Sequence, residues 1–449
     1  MPREWAEPQL NRMVEKLRHE SFYTSGTWID ESLGIYAGWV ARKGSFSDGM
    51  PLRNETGDRV LIFAGEEFPE PGTAARLKAR GHAVEAGGPS YLVHLAEEDA
   101  EFPKCLNGTF HGLLADQAGG SATLFNDRYG LQRLYYHEAK EAFYFAAEAK
   151  AILAVRPELR RLDPRGLGEY VSCGCVMEDR TLFEGIHALP PGSAWTFRNG
   201  RLEAKRAYFD PREWEEQEHL EPEAWYRELK QVFQERLPRY FNGRERVAMS
   251  LTGGLDSRMI LAWHQPAPGS LPFYTFGSTY RDNTDVIGAR RVAQACKQSH
   301  QVIVAGKEML SRFPSYAERA VYITEGGVEA NRGSTLYCNA QARSIAPVRI
   351  TGNYGTEVLR PVRAFKPVRP MPGLFRPELL PQIDEARNTY ARLIETHPVS
   401  FSAFRQAPWL HWGNFMLEGS QVSMRSPYLD NDLVRTIYRA PLPMLASAD

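Results

Sequence analysis

The sequence predicts two domains of different grammar: an α+β half with stacked antiparallel β-sheets and helices, then an α/β half built on a parallel sheet. Three observations predict this. The chain has 449 residues, 43% hydrophobic and 24% charged, enough material for two or three packed cores and too apolar for disorder. Its first half is a series of short β-branched and aromatic runs cut by Gly, Asp and Asn. Beyond residue 211 strand-like and helix-like segments alternate, which predicts parallel strands with helices on both faces.

Along the chain, residues 1–20 are charged and helical in pattern. Strands are predicted at 59–65 (RVLIFAG), 106–116, 121–127, 133–139 and 142–148. The segment LDPRGLGEYVSCG, from Leu162, reads as a helix with a proline near its start. A hairpin follows over 189–210, turning on Asn199-Gly200, a pair that accepts two successive positive φ angles. It closes a first domain at 1–210, leaving 211–449 as the second. There Trp225, Leu229, Val232, Phe233 and Leu237 recur at helical spacing. Strands are predicted at 271–277, 300–305 and 348–353, with helices TDVIGARRVAQACK and STLYCNAQARSI between them. The basic, proline-rich RPVRAFKPVRPMPG (360–373) reads as a solvated loop or linker; its Arg360, Arg363, Lys366 and Arg369 could also attract an acidic substrate.

Charge excludes some partners. Lys plus Arg (54) nearly cancels Asp plus Glu (55), so nothing calls for nucleic acid or an anionic membrane. There is no apolar stretch near the ~18 residues that span a bilayer, and the N-terminus is unlike a signal peptide, so the cytoplasm is the expected location. The five cysteines, at 105, 173, 175, 296 and 338, are odd in number and scattered, which argues against a disulfide framework. The CGC at 173–175 has no second Cys or His pair at zinc-site spacing and reads as buried thiols.

The most informative stretch is SLTGGLDS, residues 250–257, between the apolar run RVAMSL and the helical SRMILAWH. A small-residue loop between a strand and a helix gathers backbone N–H groups and the positive helix end around one point, where phosphate oxygens bind. Gly253 and Gly254 let the main chain approach an anion, and Thr252 and Ser257 add hydroxyls. Asp256 disfavours a bare phosphate, so its useful role is to hold a Mg²⁺ that bridges phosphates. The loop lacks the lysine of a Walker-type loop and does not match GxGxxG. A tight turn with Asp256 as a cap is the structural alternative.

SLTGGLDS resembles the SGGLDS pyrophosphate loop of ATP pyrophosphatases, and its neighbours narrow the resemblance to the asparagine synthetase-like family. TDVIGARRVAQACKQSHQVI, with Asp285, Val292, Ala293 and His300, RGST (332–335), ITGNYGTEVLR and MRSPYLDNDLV are similar to segments of its synthetase half. LNGTFHGLLAD, NDRYGLQRLYY, YFAAEAKAIL and EDRTLFEGIHALPPGS are similar to segments of its glutaminase half and the connecting segment.

The resemblance implies an N-terminal Ntn-hydrolase-like domain, then an ATP-binding domain of the adenine nucleotide alpha hydrolase-like type. It implies a ligase that adenylates a small-molecule or peptide carboxylate with ATP and Mg²⁺, after which ammonia or an amine displaces AMP; a homodimer is compatible with it. Ser250, Leu251, Thr252, Gly253, Gly254, Leu255, Asp256, Ser257, Thr351 and Gly352 would contact ATP. Asp256 and Glu357 would hold the metal. Glu357 and Tyr354 would act at the reacting end, Tyr354 narrowing the acyl site where the family prefers Gly.

Departures from the family pattern qualify this. The chain begins Met1-Pro2-Arg3 where the family has Met-Cys-Gly, reads Phe63-Ala64-Gly65-Glu66 for FNGE, and has GGPSY where an SDTE aspartate is expected. Glutamine hydrolysis is therefore not expected, and the first domain is either a retained shell or lacks its first strand. Asn353 and Thr356 stand at usually acidic positions, and the helical region that follows the PFLD-like segment in the family is expected to be truncated. Two alternatives stay open: a nucleotide-binding scaffold without activity, and a cyclising amide synthetase of the β-lactam synthetase or lasso cyclase type.

Overall fold

The computed structural model describes residues 1–371 and 373–445. The chain divides into two compact units, one of residues 1–216 and 363–410, the other of residues 217–362 and 411 onward. No helix among the described residues is long and apolar enough to cross a membrane.

The strands of the first unit are β1 (Tyr23–Asp30), β2 (Ile35–Arg42), β3 (Leu52–Arg53), β4 (Arg59–Glu67), β5 (Gly108–Asp116), β6 (Ser121–Asn126), β7 (Tyr135–Glu138), β8 (Phe143–Ala146), β9 (His187–Ala188), β10 (Ser193–Arg198) and β11 (Arg201–Ala207). They form a β1-β2 hairpin, a six-stranded sheet in the order β11-β10-β6-β5-β4-β3 and a three-stranded sheet β8-β7-β9, with antiparallel pairing throughout. Side chains alternate across a strand, so β4 serves two cores. Val60 and Ile62 join Trp28, Leu33, Leu124, Tyr136 and Trp195, a cluster drawn from all three sheets. Leu61 and Phe63 face the other way, onto Leu77, Leu92 and Val93 of the helices Thr73–Ala79 and Tyr91–Glu98.

The expected hairpin forms between β10 and β11, with φ of 52° at Asn199 and 68° at Gly200. The expected helix runs Pro164–Cys173; Asp163 caps it by accepting the Gly166 N–H at 2.6 Å, and Gly174 ends it at φ 75°. The β1-β2 hairpin has no counterpart among the predicted strands: Ser, Thr and Gly dilute the apolar signal of β1, whereas β2, IYAGWVAR, is a dense apolar run that the strand assignment passed over. Gly26 is there for space, since the Trp39 ring lies 2.2 Å from where a Cβ would sit.

Residues 363–410, read from sequence as part of the second domain, pack with the first unit. Helix Leu380–Leu393 lies on Pro164–Cys173, close enough that a Cβ at Gly168 would meet the Gln382 carbonyl oxygen at 2.6 Å. Phe365, Tyr390 and Phe401 surround Cys173 and Cys175 in one buried cluster, and burial pushes both thiols above their ordinary range. Phe365 is the buried anchor of an otherwise mostly exposed basic segment.

The second unit carries β12 (Val247–Ser250), β13 (Phe273–Gly277), β14 (His300–Val304), β15 (Val348–Ile350) and β16 (Ser423–Arg425) in one parallel sheet ordered β14-β13-β12-β15-β16. The chain steps outward from β12 through β13 to β14, then returns to lay β15 on the other flank of β12. That reversal leaves a crevice at the carboxyl ends of β12 and β15, where open parallel sheets bind ligands. Helix Pro222–Arg236 buries Trp225 and Phe233 of the predicted periodic stripe. The strand predicted over 348–353 stops at Ile350, because Thr351 and Gly352 turn into the crevice loop.

In the first unit the β6–β7 turn is tied down by two buried titratable groups. Asp127 accepts N–H bonds from Phe110 (3.1 Å), Tyr129 (2.9 Å), Leu131 (3.3 Å) and Gln132 (3.1 Å), and the ring Nδ1 of His111 bonds the Gln132 carbonyl at 3.2 Å. Burial pushes Asp127 up to about 6 and His111 down to about 4. The two act oppositely below neutrality. A depressed histidine favours the unfolded state as pH falls from about 6.5 towards 4, whereas a raised aspartate is relieved as pH falls through about 6. Replacing His111 by Gln is expected to leave only the aspartate term. The stability change between pH 7 and pH 5 should then shift by about 2 kcal/mol in favour of pH 5, read from denaturant midpoints against wild type.

Candidate functional site

The crevice is built from two loops. The first follows β12: Leu251 is buried, Thr252 and Gly254 are exposed, and helix Leu255–His264 begins at once. The ladder starts with Arg258 N–H to Gly254 O, so the amides of residues 255–257 have no intrahelical acceptor. Thr252 organises the loop: its Oγ1 accepts the Gly254 N–H at 3.2 Å and lies 3.1 Å from Ser257 Oγ. Gly253 meets the helix Thr284–Ala295 at Gly288, where a Cβ would come within 2.7 Å of the Gly253 Cα.

The second loop follows β15 and closes on Asp256. A Cβ at Gly352 would lie 2.9 Å from the Ser257 nitrogen and 3.0 Å from the Asp256 Cβ; at Gly355 it would lie 2.7 Å from the Asp256 Cγ. Thr356 Oγ1 donates to Asp256 Oδ2 at 3.0 Å, and Arg360 Nη2 donates to that same hydroxyl oxygen at 3.1 Å. The Tyr428 hydroxyl donates to the Asp256 carbonyl at 2.7 Å. Two residues on, the buried Asp430 accepts from Arg239 and from the Tyr240 hydroxyl, both at 2.9 Å. The MRSPYLD segment is thus an anchor for the loop.

The carboxylates divide in character. Burial pushes Asp256 above the usual carboxylate range and the charge of Glu357 adds to this, against the Thr356 hydrogen bond and Arg360. Burial also acts to raise Glu357, but His411 outweighs it and holds that carboxyl below its ordinary value. His411 Nε2 stands 3.4 Å from Glu357 Oε1, an ion-pair distance too long for a full hydrogen bond. Tyr354 is buried with φ 70°, a left-handed conformation costly for an aromatic residue, and its ring meets His411 edge-on at 5.9 Å.

Between the loops lies a cavity of about 680 Å³. Its lining includes Ser250, Leu251, Thr252, Gly254, Asp256, Ser257, Thr351, Gly352, Tyr354 and Glu357 from the predicted set; Gly253 and Leu255 lie outside the lining, Leu255 exposed on the helix. Asn353 and Thr356, the two positions without the usual acid, also line it, as do Asp285, Arg332 and Thr335 of the segments singled out in sequence.

Arg349, Glu418 and His411 are among the lining residues that were missed. Arg349, buried in β15, donates from Nε to Ser250 Oγ at 2.8 Å and from Nη1 to Glu418 Oε2 at 2.7 Å, over the Phe276 ring at 5.5 Å. The neighbouring Tyr274 hydroxyl is buried without a hydrogen-bond partner among the described residues, and burial pushes it up to about 12. An arginine inside the apolar run PVRI was the available signal, since an arginine is rarely buried unless paired. Glu418 and His411 gave none: helical periodicity does not show which polar residues turn inward, and His411 lies in the bend just before the helix that carries Glu418.

A family model for a glutamine amidotransferase domain matches residues 2–209, and one for asparagine synthase matches residues 228–410. Glutamine-hydrolyzing asparagine synthetase 3 of Bacillus subtilis is 29% identical over 232 residues, covering 50% of this chain and 37% of the relative. Asparagine synthetase 1 of the same organism is 23% identical over 316 residues, 68% of this chain and 48% of the relative. A putative asparagine synthetase of Mycobacterium tuberculosis is 24% identical over 372 residues, 78% of this chain and 56% of the relative. The chain therefore spans 37 to 56% of the length of these relatives. The solved glutamine phosphoribosylpyrophosphate amidotransferase from B. subtilis aligns over 66% of this chain and 63% of its own at 11% identity and a TM-score of 0.33, too loose a likeness to bear on the site.

The contact of Gly355 with Asp256 generates a double-mutant test. Gly355→Ala should destabilise by about 1–3 kcal/mol through overpacking. In an Asp256→Gly background the same change should cost under about 0.5 kcal/mol, because the atoms it strikes are gone. Denaturant midpoints of the four proteins check this.

Proposed function

Because this chain belongs to an asparagine synthetase-like family, we propose that it is an ATP-dependent amide-forming ligase acting in the crevice between β12 and β15. The observation that carries the reading is the closure of two glycine-bearing loops on Asp256, beside a cavity of about 680 Å³, within the usual range for small-molecule sites.

In this reading Ser250, Thr351 and Gly352 contact the nucleotide, while the first-turn amides and the hydroxyls of Thr252 and Ser257 hold the phosphates that leave as pyrophosphate. Asp256 and Glu357 are oxygen donors lining one cavity, and the first is pushed up partly by the charge of the second, so the pair fits a divalent cation. Bound Mg²⁺ would supply neutralisation of charge on the departing pyrophosphate. The substrate carboxylate oxygen attacks the α-phosphorus and pyrophosphate departs. The nitrogen of ammonia or an amine then attacks the acyl carbon and AMP departs with the bonding pair. Activation is needed because a carboxylate resists nitrogen nucleophiles.

The substrate is a small-molecule or peptide carboxylate. Glutamine is not the nitrogen source in this reading, since residues 63–66 are Phe-Ala-Gly-Glu where the family's glutaminases carry FNGE. Tyr354 and His411 stand as one wall of the acyl side.

The test is Mg²⁺-dependent exchange of pyrophosphate into ATP with a panel of carboxylates that includes aspartate. Exchange should appear with at least one acid and fall at least about 100-fold in Asp256→Ala. Nucleotide binding without exchange for any acid would replace the ligase by a nucleotide-binding scaffold, the reading that Asn353 and Thr356 favour. Tyr354→Gly should change the kcat/KM ratio between a small and a bulky carboxylate by about 10-fold. An unchanged ratio would remove Tyr354 from the acyl side.

A further inference from the structure

Within the first unit, the residues Glu55, His82, His94 and Glu97 form the one cluster of metal-ligating side chains found among the described residues. They come from three separate places. Glu55 lies in the turn between β3 and β4, His82 follows the helix Thr73–Ala79, and His94 and Glu97 sit three residues apart on helix Tyr91–Glu98. Side chains at that spacing share a helix face.

Four specific atoms converge. His82 Nδ1 lies 3.7 Å from Glu55 Oε2 and 3.7 Å from Glu97 Oε2; His94 Nδ1 lies 3.6 Å and 2.9 Å from the same two oxygens. A tetrahedron of N and O ligands with metal bonds of about 2.0–2.1 Å has edges of about 3.3 Å. The four imidazole-to-carboxylate separations are therefore close to those of a tetrahedral cation site, and all four ligand atoms lie within 4.8 Å of one another.

The surrounding bonds orient three of the four ligands, and His94 Nδ1 is itself within hydrogen-bond distance of Glu97 Oε2. His82 Nε2 faces Glu98 Oε1 at 3.2 Å, so a proton on Nε2 donated to that carboxylate leaves Nδ1 as the free lone pair. Asn54 Nδ2 donates to Glu97 Oε1 at 2.7 Å and the Ala83 N–H donates to Glu55 Oε1 at 2.5 Å, in each case engaging the carboxylate oxygen that points away from the centre. His94 is 2% exposed, and Arg80 pairs outward with Glu98. Two carboxylates and two neutral imidazoles around a divalent cation sum to zero charge, which suits this partly buried place.

We infer that Glu55, His82, His94 and Glu97 are a structural Zn²⁺ site that staples the β3–β4 turn and the residue 80–83 loop to helix Tyr91–Glu98. Two imidazoles with two carboxylates select a borderline cation over Mg²⁺. The inference is independent of the nucleotide cavity.

The full chain, stripped with a chelator, is titrated with Zn²⁺ against a chromophoric competitor and then with Co²⁺ as a spectroscopic probe. Wild type should bind one Zn²⁺, show a raised thermal midpoint, and give the intense visible bands of four-coordinate Co²⁺. The double variant Glu55→Gln, His82→Gln should lose all three, and Glu98→Gln should weaken Zn²⁺ by about 10–100-fold. Asp256→Ala should bind as wild type does. Equal Zn²⁺ uptake by wild type and the double variant, or a six-coordinate Co²⁺ spectrum in wild type, would overturn the site. The wild-type spectrum decides alone if the double variant does not fold.

Discussion

The packing of two glycines against one aspartate organises the second unit's site. Gly352 and Gly355 bring the loop after β15 onto the first turn of the helix after β12, so close that a methyl group at either position would strike Asp256 or its neighbour. The crevice of an α/β sheet is ordinarily a gap between strand ends. Here it is walled by Thr356 and Tyr428 reaching Asp256 from two sides. Burial of the carboxylate held this way raises it above its ordinary range.

Beneath that contact lies a polar wall uncommon in a parallel-sheet interior. Arg349 and Glu418 pair where buried strands are usually apolar, and the Ser250 hydroxyl is taken up by the arginine. A buried pair of this kind is weak evidence for stability, because desolvation offsets much of the attraction. Its value lies in fixing positions: it sets the Ser250 hydroxyl, while the Tyr274 hydroxyl beside it has no hydrogen-bond partner among the described residues. An unpartnered buried hydroxyl lining a cavity is a group that a ligand can satisfy.

The first unit uses polar groups differently. Asp127 gathers four backbone N–H groups to hold one turn, and the His–Glu cluster joins a turn, a loop and a helix far apart in sequence. Both use polar groups to fix backbone beside apolar clusters, Tyr129 and Leu131 in the first case and Val84, Leu92 and Val93 in the second. Residues 363–410 join this unit through apolar packing instead, since the helix Leu380–Leu393 and Phe365 complete a cluster that Cys173 and Cys175 begin.

Much of this was legible in the residues themselves. Short β-branched and aromatic runs between turn residues located β4 to β8, Asn199-Gly200 fixed a hairpin, and a strand, small-residue loop and helix in succession located the crevice, because each signal is local and set by backbone sterics. Other features were invisible for a physical reason. β1 is diluted by Ser, Thr and Gly, Glu418 is a polar helix residue whose inward turn depends on packing, His411 lies in the bend before that helix, and His82 and His94 are twelve residues apart at no recognised ligand spacing. The sequence by itself determined most of the elements, the glycine loop and the family likeness. Only the tertiary structure decided that Gly352 and Gly355 press on Asp256, that Arg349 meets Glu418 and that four ligand atoms converge near Glu55, because contacts between distant segments are selected by the packing of the whole chain and leave no periodic trace in its order.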